Sequence, residues 1–195
     1  MKRDKLELVL NLIDEANAQD PNREIWQRQT YPKELLYGMR MTACLEKFHP
    51  APCEILQIAA RGQHIRRWEI PRNSYPETRE GYLKWRTRLY GFHADQVTGL
   101  MDQVGYGEEE LQRADKILQK RGMHTDPEVQ TIEDVACLVF LEFTLPSFVE
   151  QADQEKLPGI VRKTWKKMSE NARSVAITLP YPAPLGKMLL AVLAT

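Results

Sequence analysis

Apolar residues recur along the chain at the three- and four-residue steps of amphipathic helices, and prolines and glycines punctuate them. Leu6, Val9, Leu10, Ile13 and Ala16 make the first stripe, behind Asp4 and Glu7 at capping-box spacing. "DPN" at 20–22 ends that helix, and Pro32 suits the first turn of a second one running to about Phe48. Pro52 opens a third, with Ile55, Ile58, Ala59, Gly62 and Ile65 on one face. After a loop bounded by Pro71 and Pro76, Ser74 and Glu77 again have capping-box spacing, ahead of a long helix through Trp85, Leu89 and Val97.

Gly105 and Gly107 break that run. "EEELQRADKILQKRG" then reads as a short helix ending in basic residues and glycine, as a helix C-terminus prefers. "DPEVQTIEDVACLVFLEF" has an Asp cap, Pro127 and then apolar residues on every side, the mark of a buried central helix that Pro146 ends or kinks. Pro158 opens another helix through Ile160, Val161, Trp165 and Met168, and a proline-rich loop precedes a final apolar helix. No two strand-like runs face each other across a hairpin turn, and "VAITL" at 175–179 has strand composition without a partner. The pattern predicts an all-α chain, a single-domain bundle over residues 1–195 with about seven to nine helices.

Composition narrows the function classes. Lys plus Arg and Asp plus Glu are 27 each, so the net charge is zero and no basic excess marks a general polyanion binder. "VRKTWKKM" reads as a solvated helix face, and nucleic acid is not an expected partner. Cys44, Cys53 and Cys137 are odd in number and form no C-x-x-C pair, which argues against a disulfide framework or structural zinc and for a reducing cytoplasm. Acids interrupt the basic N-terminus, so it is not read as a signal peptide, and no run of about 18 apolar residues predicts a membrane span.

The unusual stretch is "QHIRRWEIPR" at 63–72. On a wheel at ~100° per residue, His64 falls opposite the apolar stripe of the third helix, beside Gln57, Arg61, Arg67 and Trp68. That is either a solvated face or the wall of a cleft. On the next helix Arg79, Tyr82, Arg86, Leu89, Tyr90, His93, Val97 and Leu100 share one stripe, which aims Arg79, Arg86 and His93 at the core. Core-directed arginines either pair with the protein's own acids or point donors at a bound anion. Trp68, Tyr75, Tyr82 and Trp85 are either core or stacking surface around such a pocket. Asp134 lies two turns inside the central helix, beyond the reach of its dipole, and needs solvent, a cation or a donor. Glu133 lies one step around the wheel. Glu142, among Val135, Leu138, Val139 and Leu145, needs a partner or a raised pKa.

"PKELLYGMRM", "AARGQHIRRWEIPRNSYPETREGYLKWR", "FHA" and "DPEVQTIEDVACLVFLE" together resemble the domain-of-unknown-function family 4202, over about residues 12–168, leaving 174–195 as a C-terminal helical appendage. That resemblance implies no particular activity. The order of elements more loosely resembles the HD superfamily of all-α metal-dependent phosphohydrolases. That likeness implies an HD-like bundle with a central pocket, and a divalent metal held by an early His, a His-Asp pair and a late Asp. Here Tyr37 or Gly38 stands where the first His falls, and Gln63-His64 or His64-Ile65 where His-Asp falls. Asp134 stands at the late Asp, and His93 in the place of a middle-helix His, so the implied metal set is His64, His93 and Asp134.

Two functions fit. In one, a hydrolase or related enzyme acts on a phosphate-bearing small molecule. Arg67, Arg79 and Arg86, with Arg72 beside them, hold the anion; His64 or His93 moves the proton; Asp134, with or without a divalent metal, orients the water, and Glu133 is grouped with these catalytic residues. In the other, a non-catalytic helical protein carries an internal ion-pair network and binds a small anion or a protein partner. The pattern leaves the oligomeric state open.

Overall fold

The computed structural model describes residues 4–146, 157–182, 185, 186 and 189. It divides into two compact units, residues 1–129 and 130–195. The first contains α1 (Lys5–Ala18), β1 (Arg23–Trp26), β2 (Gln29–Pro32), α2 (Lys33–Phe48), α3 (Glu54–Gly62), α4 (Arg79–Val104) and α5 (Glu108–Leu118). Helix α6 (Pro127–Val139) begins there and runs on into the second unit, where a π-helical stretch, Phe140–Thr144, follows it. That unit also contains α7 (Leu157–Lys167) and α8 (Glu170–Ala176).

The all-α reading holds. In the first unit α1 packs on α2, α3 and α4, α2 on α3, and α5 on α3 and α4. Val9, Ile13, Leu36, Met41, Leu45, Ile58, Leu89, Val97 and Met101 are buried there, which are the inward positions of the helical periods. A bidentate ion pair ties α3 to α1: Arg61 Nε and Nη2 each donate to Asp14 at 2.6 Å. In the second unit Leu141, Val161, Trp165, Ala176 and Leu189 help enclose an apolar cavity of about 170 Å³. No helix among the described residues is long and apolar enough to cross a membrane.

Four expectations are corrected. First, residues 23–32 form an antiparallel hairpin, with Trp26 paired to Gln29 at its tip. Its two-residue turn is Gln27-Arg28, both left-handed at φ 49° and 66°, the geometry of a type I′ turn without the Asn-Gly that normally announces one. Second, α3 stops at Gly62 rather than reaching Ile65. Gly62 abuts α4 so closely that a Cβ there would overlap Val97. Third, the cap of α4 is Thr78, whose hydroxyl accepts from Gly81 N at 3.0 Å; Ser74 instead closes a 3₁₀ turn, Arg72–Ser74. Fourth, Val175 and Ala176, in the stretch with strand composition, complete α8, whose N-terminus Ser169 caps by accepting from Ala172 N at 3.2 Å. Of the expected final helix, only residues 185, 186 and 189 lie within the described residues, and they are helical.

Candidate functional site

The site grows from the way α3 ends. Past Gly62 the chain turns sharply, with Ile65 N bonded to Gly62 O, and Arg66 takes a left-handed conformation at φ 50°. Such a conformation costs free energy in a residue with a Cβ. Two buried side chains support it. Asn17, at the end of α1, accepts from Arg66 N at 3.0 Å, and His93 of α4 donates Nδ1–H to Ile65 O at 2.9 Å. The strap they hold carries His64 and Arg67, locked at i,i+3 by Arg67 N donating to His64 O.

Facing the strap is the first turn of α2. Glu34 is 7% exposed and accepts from His64 Nδ1 at 3.1 Å through Oε2. Tyr37, one turn on, stacks its ring on the His64 imidazole, 3.8 Å between centroids and 9° from parallel. Glu34 is placed by Asp20, a fully buried carboxylate just past α1, whose Oδ2 accepts from Glu34 N at 3.0 Å. Its Oδ1 accepts from Asn22 N and Nδ2.

The other side of His64 meets Arg67. Its Nη1 lies 3.2 Å from His64 Nε2, and its Nε 4.0 Å from Glu34 Oε1. The guanidinium also lies over the Trp85 ring at 4.8 Å. A guanidinium only donates, so Nε2 is the unprotonated nitrogen and the proton sits on Nδ1, facing Glu34. The chain runs Arg67 to neutral His64 to Glu34.

The site's protonation follows from burial and neighbours. Burial pushes the Glu34 carboxyl up to about 7, against the pull of Arg67 and Lys33. Burial, and then the positive charges of Arg67, Lys120 and Lys33, hold His64 well below the usual imidazole range. His93 falls to about 3, mainly by burial and then by His64 and Arg67. With Nδ1–H committed to Ile65 O, its Nε2 is a buried lone pair without a hydrogen-bond partner, on a ring 5.9 Å from that of His64.

Of the residues singled out from sequence, His64, His93 and Arg67 are brought together. Arg72 donates to the carbonyls of Tyr75 and Pro76 at 2.8 and 2.9 Å, bracing the loop before α4, and its guanidinium lies 6.0 Å from the centre of the Trp85 ring. Arg79 is exposed in the first turn of α4 rather than aimed at the core, and Tyr82 is exposed too, while Gly81 between them is buried against Pro76. Arg86 is half-buried and donates to the Tyr90 hydroxyl. Asp134 and Glu133 belong to the second unit. Asp134 finds donors in Gln130 Nε2 at 2.9 Å and Ser169 N at 2.8 Å, and Glu133 faces Lys167 Nζ at 3.1 Å. Glu142 is half-buried near Tyr181, whose phenol is raised by burial and then by that carboxylate.

The implied divalent metal does not fit these residues. No group of three or more His, Cys, Asp or Glu is placed to hold an ion among the described residues. The unprotonated nitrogen of His64 accepts from a guanidinium, which a cation would meet as a like charge.

The spacing singled out none of Glu34, Asp20 and Asn17, and Tyr37 entered only as a residue standing where the first His of the HD pattern falls. For Glu34 a signal existed: it shares the stripe of Gly38, Met41 and Leu45, all buried. A carboxylate on an apolar stripe needs a partner, as Glu142 was read to need.

The family model described as a domain of unknown function (DUF4202) matches residues 7–189. No curated protein and no solved structure matches the chain.

Proposed function

The chain belongs to the DUF4202 family, a domain of unknown function, and from its own residues we propose that it is an enzyme acting by acid–base chemistry on a phosphate-bearing small molecule. One observation carries the reading: the Nε2 lone pair of His64, fixed by Glu34 behind it, adjoins the Arg67 guanidinium. A base and an anion binder share one place. Arg67 holds phosphoryl oxygens by its fork of donors. His64 Nε2 takes a proton from water as the water oxygen bonds to phosphorus, and the Glu34 carboxylate stabilises the imidazolium. As the bond from phosphorus to the leaving oxygen breaks, the imidazolium returns the proton to the departing alkoxide.

Phosphate esters are proposed as the substrate class because the order of elements loosely resembles that of HD phosphohydrolases, and three cysteines outside any disulfide support a reducing, cytoplasmic setting. Phosphate release from a panel of monoesters and nucleotides tests the proposal. His64→Asn should lose roughly 10²–10⁴-fold in kcat, the usual worth of a general base. Equal turnover by that variant, or no turnover together with no melting shift across the panel, sinks it.

A second reading rests on both ring nitrogens of His64 being engaged by protein groups. There the same residues form a non-catalytic ion-pair network that binds a small anion. It predicts a melting shift with inorganic phosphate and no phosphate release from any ester.

A further inference from the structure

We propose that Arg67 masks His64: its guanidinium occupies the Nε2 lone pair in the resting protein, and an incoming oxyanion draws it away and frees the base. This rests on the reading of His64 and Arg67 as one site, and it adds how that site is switched on.

Three features of Arg67 support it. Its bond to His64 is charge-to-neutral, and its nearest carboxylate contact, Glu34 at 4.0 Å, is beyond hydrogen-bond range. A phosphate offers two parallel charge-to-charge bonds in place of one bond to a neutral ring, so the anion wins the guanidinium. The guanidinium also rests on the Trp85 ring, which Trp85 Nε1–H, donating to Ile70 O at 2.8 Å, holds in place. A planar cation slides on an aromatic face without losing that attraction. Finally, the side chain is partly solvent-accessible while Glu34 and His93 are buried, so the mask is the part of the cluster an anion meets first.

Other groups face His64 from every side: Lys33, Glu34 and Tyr37 from the start of α2, His93 from α4 and Lys120 from just past α5. A hydrogen bond from Arg67 closes Nε2. Moving that charge onto an anion removes a like-charge neighbour from the imidazole, so the ring becomes more basic as the ligand arrives.

The test is the imidazole spectrum of the full chain by nitrogen–proton correlation, with His64→Asn to assign the signal and inorganic phosphate as the probe. Without phosphate, His64 should remain the Nδ1–H tautomer with its Nε2 signal that of a hydrogen-bonded acceptor. With saturating phosphate, its titration midpoint should rise by about 1 pH unit. Arg67→Gln should show that higher midpoint without phosphate and no further response to it. Arg67→Lys, which keeps the charge but not the fork and serves if the first variant folds poorly, should fall between the two.

An unchanged His64 midpoint under phosphate overturns the mask, as does an Arg67→Gln midpoint equal to that of the unaltered protein. The two proposals fail separately. A protein that responds in the spectrum but turns over no ester keeps the mask and loses the hydrolase. A protein that turns over esters with His64 unresponsive does the opposite.

Discussion

Arg113 and Arg67 each face carboxylates of the first unit, yet they meet them very differently. Arg113 donates to Asp126 at 2.5 and 2.8 Å and to Glu128 at 2.7 Å, and Lys116 adds a contact to Asp126 at 2.7 Å. Asp126 also accepts from Glu128 N and Val129 N, so it caps α6 as well. Arg113 therefore holds the Asp126 carboxyl well below the usual carboxylate range. Around Arg67 the carboxyl of Glu34 is raised instead, the guanidinium reaches it only at 4.0 Å, and a neighbouring histidine keeps an unpartnered nitrogen. The first cluster uses its donors and acceptors to hold the fold. The second leaves some unused, and unused capacity is what a ligand needs.

The largest effect should come from the clasp. Asp126→Ala removes a helix cap and leaves Arg113 short of a partner, and should cost about 3 kcal/mol in chemical denaturation. The low carboxyl pKa means that this stability is present above the unfolded value and is lost only as pH falls through the folded one. The loss on mutation should therefore persist well into acid. A loss below about 1 kcal/mol would remove the contrast between the two arginines.

The site should respond to pH in the opposite sense on its two limbs. His93 stays neutral when folded but binds a proton when unfolded, so stability should fall as pH drops from 6.5 towards 3. Over the upper part of that window the fall is about 2–3 kcal/mol, and His93→Gln should flatten it in urea melts taken at several pH values. Glu34 stays protonated when folded where the unfolded chain has lost its proton. Stability should therefore fall as pH rises from 4.5 to about 7, then level off. Glu34→Gln should accordingly stabilise the protein by about 2 kcal/mol at pH 8 while impairing any turnover. Destabilisation at pH 8 would mean that Glu34 belongs with the clasp. The smallest effect is expected at Arg79: being exposed, it should change stability by less than about 0.5 kcal/mol on truncation to Ala.

The helices were legible because their apolar stripes and their prolines agree, as in α2 after Pro32 and in α7 around Pro158. The hairpin was not, since Gln27-Arg28 adopts its turn without the residues that favour it. His64 was singled out from a helix that does not extend that far. A helical wheel set it opposite the apolar stripe, on a solvated face or a cleft wall, whereas α3 ends at Gly62 and the strap turns His64 toward Glu34. Where a helix stops depends on what it meets, here Val97, and spacing along one segment carries no record of that encounter. Arg79 erred the same way: extending the α4 stripe back to its first turn assumed that something covered it. The Asp20 and Asn17 contacts span 14 and 49 residues, and nothing local announces them.

The hairpin's own base is closed twice over. Lys33 N donates to Asn22 O at 3.0 Å, and Asp20 receives both Asn22 and Glu34. Whatever happens at the tip, the ends of that excursion stay pinned beside α1 and the carboxylate stays where His64 needs it. Residues 27 and 28 are exposed and already strained, so extra chain there relieves backbone rather than disturbing a core. The tip is thus the natural point of insertional tolerance, where a genetically encoded reporter can be carried a few residues in sequence from Glu34 while leaving the chemistry of the cluster alone.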